Sequence, residues 1–259
     1  MKSVILRNSQ ILFLFRFFGY WKLKNYDAMA PTFERIATNL HPFPVLGDSF
    51  SAGDFAPIDL SVHNPLAGQL ALHTFAGLEQ YVTDCHQKTG AKVLFGGYLE
   101  HRALYQQSNH FSGSEELRNR HLGLDLWCAA GTPVYCPLPA TVHSFRYNDQ
   151  PLDYGATLIL RHQIDHFTFY TLYGHLSRAS IAGWKAGQVV SRGDRIAEFG
   201  PPEENGGWVP HLHWQIMLDL EGWSGDYPGV CAEKDLARYQ INCPNPSVLY
   251  PVTLNEHPK

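Results

Sequence analysis

The sequence predicts a mostly β fold: a compact antiparallel β-sandwich or barrel-like domain carrying a mixed α/β N-terminal extension. Two observations lead there. From about residue 118 onward, short β-prone runs alternate with turn residues at close intervals, which suits antiparallel hairpins and not a βαβ array. Ahead of them lies a single helix-period segment. The chain of 259 residues can bury a substantial core, and 44% hydrophobic with 17% charged residues is ordinary globular composition.

Residues 1–28 read as a leader or as a start placed too early, with Met29 as the alternative start. Lys2 and Arg7 precede the apolar run Ile11–Phe15, but Arg16 interrupts it, and Phe17-Phe18-Gly19-Tyr20-Trp21 is bulky where a cleavage site needs small residues. The run is too short to span a bilayer, so no stable membrane insertion is expected. Residues 29–95 form the mixed extension. In it, Thr74 caps a helix with Phe75, Leu78, Val82 and Cys85 on one face and Gly90 at its end, while His41–Pro65 reads as loops and turns.

The β domain is placed at 96–220. Its runs are Val134–Cys136 and Thr141–Phe145, Thr157–Leu160 and Phe167–Tyr170, then Gln188–Val190 and Arg195–Phe199. Residues 221–259, rich in Gly, Pro and Trp, read as an irregular tail over the surface. No nucleotide-binding glycine loop and no repeat is present.

A net charge of −4 without a Lys/Arg run gives no electrostatic reason to expect nucleic acid as a partner. Five cysteines, an odd number lacking a C-x-x-C pair, argue against a disulfide framework or a thiolate zinc site and favour a reducing compartment. Cys128 and Cys136 could still meet across a hairpin. Cytoplasmic residence is the expectation, with the periplasm or cell envelope as the alternative.

Chemistry concentrates in the histidines. In Val209–Met217, read as a strand, His211, His213 and Gln215 share one face and Leu212, Trp214 and Ile216 the other. The two histidines then stand about 6.6 Å apart along the strand, so one can ligate a metal while its neighbour reaches the metal's open position. Random placement of 14 His in 259 residues gives about 0.7 H-x-H pairs, so the pair alone decides nothing. The H-x-x-x-D of His121 and Asp125 is equally weak alone. In a regular strand those two residues lie about 13 Å apart, too far to share an ion, so the backbone is expected to bend between them, Gly123 permitting it or merely allowing close packing. His162 and His166 have the spacing of a helical zinc motif, but Gln163 replaces its Glu and the pair falls in a turn; a surface hairpin is expected. His175 ends an apolar run and by itself reads as a structural hydrogen-bonder.

The order of segments adds what no single motif supplies. Arg120-His121-Leu122-Gly123-Leu124-Asp125, Gly131-Thr132-Pro133-Val134, Tyr173-Gly174-His175-Leu176, Gly187-Gln188-Val189-Val190 with Arg192-Gly193-Asp194-Arg195-Ile196, and Pro210-His211-Leu212-His213 together resemble the LytM/lysostaphin-type zinc endopeptidases, of the duplicated hybrid motif fold, over about residues 118–218. The resemblance implies that His121, Asp125 and His213 ligate Zn2+, that His211 is the general base, and that His175 helps stabilise the transition state. Three protein ligands leave a fourth position for water, whose pKa zinc lowers to about 7.

The implied substrate is a peptide, by default one derived from peptidoglycan. A cytosolic zinc hydrolase on a small metabolite and a non-catalytic LytM-like regulatory module are the alternatives; such modules lose ligands, and all five positions are intact here. Two features depart from the pattern. The loop Gly200–Val209 carries Glu203, Glu204 and Trp208 where glycine and serine are usual. Tyr98–Arg102 followed by Arg120-His121 is similar to a version found inside large bacterial fusions with an aminotransferase.

Overall fold

The computed structural model describes residues 33–67, 69–102 and 117–250. The leader and alternative start assigned to residues 1–28 and Met29, and residues 251–259 of the tail, lie outside the described residues.

The centre is an eight-stranded sheet. Its strands are β1 (Phe55–Pro57), β2 (Val93–Gly96), β4 (Leu124–Trp127), β6 (Ala140–Asn148), β7 (Gly155–Ile164), β8 (Phe167–Leu176), β9 (Val189–Val190) and β11 (His211–Met217). Their spatial order is β1-β2-β4-β11-β8-β7-β6-β9. Two small ladders flank it: β5 (Pro133–Tyr135) with β10 (Arg195–Glu198), and β3 (Arg118–His121) with β12 (Val230–Ala232). The protein is mostly β, as the alternation predicts.

Two features refine the predicted architecture. The sheet is mixed, because β1 runs parallel to β2, and it stays open with no barrel closure among the described residues. β1 lies in the stretch read as loops; three residues are too few to leave a period-2 signal.

The helix is where its caps predict. Helix α1 (Phe75–Thr89) begins after Thr74, whose hydroxyl accepts from the Gly77 N–H at 3.1 Å, and ends at Gly90 in the left-handed region (φ 69°). Leu78, Tyr81 and Val82 form its buried face, whereas Phe75 stays exposed.

One face of the sheet buries Leu124 and Leu126, Leu158 and Leu160, and Leu212, Trp214 and Ile216, together with Val134 and Ile196 of the β5/β10 ladder. This layering is sandwich-like. The other face carries two separate clusters. One joins α1 to Leu94, Trp127, Trp208 and Val209, and the other packs Ile159, Leu172 and Met217 against Tyr227, Cys231 and Cys243. The histidines of β11 open between them.

The C-terminal stretch is not an irregular surface tail. It supplies β12, helix α2 (Leu236–Asn242) and the buried Tyr227, Cys243, Leu249 and Tyr250. Isolated aromatics and prolines pack well without any periodicity, so the pattern hid this. All five thiols are free, and Cys136 donates to the Leu138 carbonyl (2.9 Å) instead of meeting Cys128.

Candidate metal centre

Strand register assembles the site. On β4 and β11, Asp125 is directly opposite His213 and Trp127 opposite His211. The alternation read for β11 holds: Leu212, Trp214 and Ile216 enter the core, while His211 and His213 share the opposite face. His121 arrives from outside the sheet. β3 leaves its ladder at Leu122 and Gly123, and the chain bends there into β4. Gly123 is also a close-packing residue, since a Cβ on it would lie 2.6 Å from the His213 ring. The bend and the contact occur together.

Three acceptor atoms converge. His121 Nε2 lies 2.9 Å from His213 Nδ1, and Asp125 Oδ1 lies 3.3 Å from the first and 3.2 Å from the second. Hydrogen bonding assigns the tautomers. His121 Nδ1 meets the Gly97 carbonyl at 2.7 Å, which places its proton there and leaves Nε2 bare. Gln215 donates its amide to the Pro228 carbonyl, so its Oε1 faces His213 Nε2 (2.9 Å) and accepts that proton; His213 Nδ1 is bare. Asp125 Oδ1 has no hydrogen-bond partner.

Two lone pairs and a carboxylate oxygen, all buried, therefore point at one another, an arrangement that repels unless a cation sits among them. Tetrahedral zinc with bonds of about 2.0–2.1 Å sets its ligand atoms roughly 3.3–3.4 Å apart, close to this triangle. The donor set fits a divalent metal.

Around the triangle the charges are arranged. Arg102, itself buried, donates to Asp125 Oδ2 at 2.7 Å and to Glu100 Oε2 at 2.6 Å. Burial pushes the Asp125 carboxyl up, but the Arg102 guanidinium bonded to it outweighs this and holds Asp125 well below the usual range, hence ionised. Burial, then Arg102, lowers the His121 ring to about 4, so it is neutral at pH 7. Gly97, with φ 99°, brings its carbonyl to His121 where a Cβ would strike both that ring and Arg102.

His211 and His175 form a second pair, with ring centres 4.2 Å apart. His211 Nδ1 donates to the Val209 carbonyl (2.7 Å) and His175 Nδ1 to that of Asn205 (2.8 Å), leaving both Nε2 atoms bare. Burial lowers His211 to about 4 and takes His175 well below the usual range. Both are neutral acceptors. His211 stacks on Trp127 (ring centres 4.1 Å), and His175 is held at φ 61°, a strained conformation for a residue with a Cβ.

A cavity of about 260 Å³ opens on His121, His175 and His213 and is walled by Tyr154, Trp208 and Tyr227. Neither Glu203 nor Glu204 lines it, and Glu204 instead caps the Arg178 N–H (2.7 Å). The acids at the cavity are Asp153 and Asp226; burial and then Asp153 raise the Asp226 carboxyl.

Residues 119–224 match the model of a family described as Peptidase family M23. That segment is a peptidase family M23 domain. The LytM/lysostaphin resemblance thus stands, M23 being the LytM family. A protein of Haemophilus influenzae described as an uncharacterized metalloprotease is 36% identical over 99 residues, 38% of this chain and 19% of that relative, so this chain corresponds to about a fifth of its length. A zinc-containing peptidase from Vibrio cholerae is similar at 30% identity over 38% of this chain and 27% of that one, TM-score 0.31. The catalytic domain of lysostaphin from Staphylococcus simulans is similar at 21% identity over 47% and 80%, TM-score 0.33.

Within the M23 domain the structure gathers all five residues singled out from the sequence. Sequence reasoning missed Arg102 as the partner of Asp125, the Gly97 carbonyl, Tyr154, whose hydroxyl lies 3.4 Å from His213 Nε2, and a hydrogen-bonding role for Gln215. Arg102 precedes the M23 domain, at the end of the Tyr98–Arg102 segment, whose resemblance carried no sign of an ion pair with Asp125. The pair read as a surface hairpin needs one correction. His166 is exposed at the turn, but His162 is fully buried inside β7, between the Pro139 carbonyl (3.1 Å) and the Thr171 hydroxyl (2.8 Å).

Proposed function

We propose that the M23 domain is a zinc-dependent peptidase hydrolysing a peptide or amide bond, with peptidoglycan peptides as its substrate class. His121, Asp125 and His213 would hold the zinc. The observation that carries this is the converging triangle of bare acceptors, with the unpartnered Asp125 Oδ1 at one corner, beside two neutral histidines. When bound, zinc supplies Lewis acidity that makes water nucleophilic near neutral pH and polarises the scissile carbonyl.

This chain's residues handle the proton. With Nδ1–H anchored on Val209, His211 presents Nε2 as the base for the attacking water. His175 offers a second bare Nε2 beside it, and the pair takes up one proton between them. The ring that receives it becomes an N–H donor, able to stabilise the developing oxyanion or to protonate the leaving amine. His175 therefore assists once the pair has been protonated, not as a resting donor. The resemblance to endopeptidases implies a bond inside a longer chain; the room on each side of the site decides that point. Cytoplasmic residence, with the envelope as alternative, belongs to the same proposal and is checked by fractionation.

The test is metal analysis of the purified protein with His121→Ala and His211→Ala variants. Roughly one zinc per chain is expected, lost in His121→Ala and kept in His211→Ala, which no longer hydrolyses peptides. Undiminished metal in His121→Ala contradicts the ligand set, and near-normal turnover in His211→Ala removes the base.

A further inference from the structure

We infer that the N-terminal segment closes the cleft on the His211 side, so that the site accepts peptides that end there and not chains that run through it. The inference rests on the peptidase reading above and narrows its substrate to short peptides or free peptide ends.

The 260 Å³ cavity touches His121, His175 and His213 but reaches neither Asp125 nor His211. Those two line a second void of about 20 Å³, which it shares with the three histidines and Trp208. A void of this size holds about one water. That suffices for the attacking water between the acceptor triangle and His211, and not for a further residue of peptide.

The wall that limits it is built in good part by the chain outside the M23 domain. Leu60 and Leu78 from that chain and Trp127 from the domain itself bound the void, each only 2% exposed. They belong to the cluster in which α1 and residues 56–60 pack against Trp208 and Val209. Leu60 is fixed further, because its N–H donates to Glu100 (2.9 Å), the partner of Arg102. The wall is thus close-packed, apolar except for the buried Arg102 that also lines the void, and tied to the charge network behind Asp125, so moving it exposes core surface. On the other side, the open cavity of about 260 Å³ falls below the roughly 300–1,000 Å³ of ordinary ligand pockets.

The experiment uses the zinc-loaded full chain. Free tripeptides and tetrapeptides of mixed L- and D-residues are compared with the same sequences embedded in longer chains blocked at both ends, and cleavage sites are read by mass spectrometry. Binding of both sets to the metal-depleted protein is followed by tryptophan fluorescence. Free peptides are expected to be cut and bound, and blocked chains to be at least about tenfold poorer in both readouts. Leu78→Ala combined with Leu60→Ala, shown folded by circular dichroism, is expected to narrow that difference by admitting blocked chains. Equal cleavage of blocked chains overturns the closed wall and leaves the peptidase reading standing, whereas zinc-loaded protein that cuts neither set overturns both. A Leu60/Leu78 variant that folds yet keeps the full discrimination also overturns the wall.

Discussion

Replacing Arg102 by Met isolates the charge network behind the metal centre. The guanidinium is 3% exposed and lies between Asp125 Oδ2 at 2.7 Å and Glu100 Oε2 at 2.6 Å, carboxylates that are themselves 1% and 12% exposed. Methionine fills much of the same space but leaves both acids without their cation. Removing one partner of a buried ion pair costs about 3–5 kcal/mol, because the surviving charge stays desolvated. Burial already raises the Glu100 carboxyl even with Arg102 beside it, so without the guanidinium it rises further. Its folded pKa then exceeds the unfolded one, and the variant's deficit grows as pH climbs above about 4.3, the ordinary Glu value, and shrinks below it.

Urea unfolding of the metal-depleted protein, wild type and Arg102→Met, at pH 7 and again near pH 4.5, reads this directly. The expected loss is about 3–5 kcal/mol at pH 7 and clearly less at the lower pH. Adding Glu100→Gln to Arg102→Met should recover at least about 1 kcal/mol by removing one of the stranded charges. A loss below about 1 kcal/mol at pH 7, or one independent of pH, refutes the reasoning, since that is the scale of an exposed pair.

Two further perturbations test other parts of the structure. Gly123→Ala would place a methyl 2.6 Å from the His213 ring and 2.9 Å from the Trp214 carbonyl. The usual gain of about 0.4–1 kcal/mol for Gly→Ala should turn into an overpacking loss of about 1–3 kcal/mol with weakened zinc binding, measured by denaturation and by competition with a chelator; unchanged affinity would show that the ring has room to move. His162 is buried and lowered by desolvation to about 4 from an unfolded value near 6.5, so its contribution is fully present above about pH 6.5 and disappears as pH falls towards 4. That interval corresponds to about 3 kcal/mol, and His162→Gln should flatten the pH dependence of stability by this amount; parallel curves for the two proteins would sink the assignment.

Which residues would gather at the candidate site was legible before folding because chemistry leaves its mark in residue type and order. His211 and His213 sit on one face of a strand by period alone, and the helix after Thr74 was readable from cap to cap. The 13 Å spacing of His121 and Asp125 in an extended strand required a bend, and the bend is at Gly123. The role of Arg102 was not legible: its segment Tyr98–Arg102 stood out, yet the arginine looks like a solvated charge until the β2–β4 pairing brings that segment behind Asp125. His162 misled for the opposite reason, because an i, i+4 pair beside a turn resembles a surface hairpin whichever way the strand's buried face points.

Local periodicity, capping and the succession of motifs were thus determined by the sequence itself, since each depends on neighbours along the chain or on side-chain chemistry. Tertiary structure decided the open mixed sheet, the buried C-terminal elements, the tautomers that leave three acceptors facing one another, and the wall that α1 sets against His211. These depend on contacts between segments far apart in the chain, whose geometry follows from how the whole core packs and not from any single stretch.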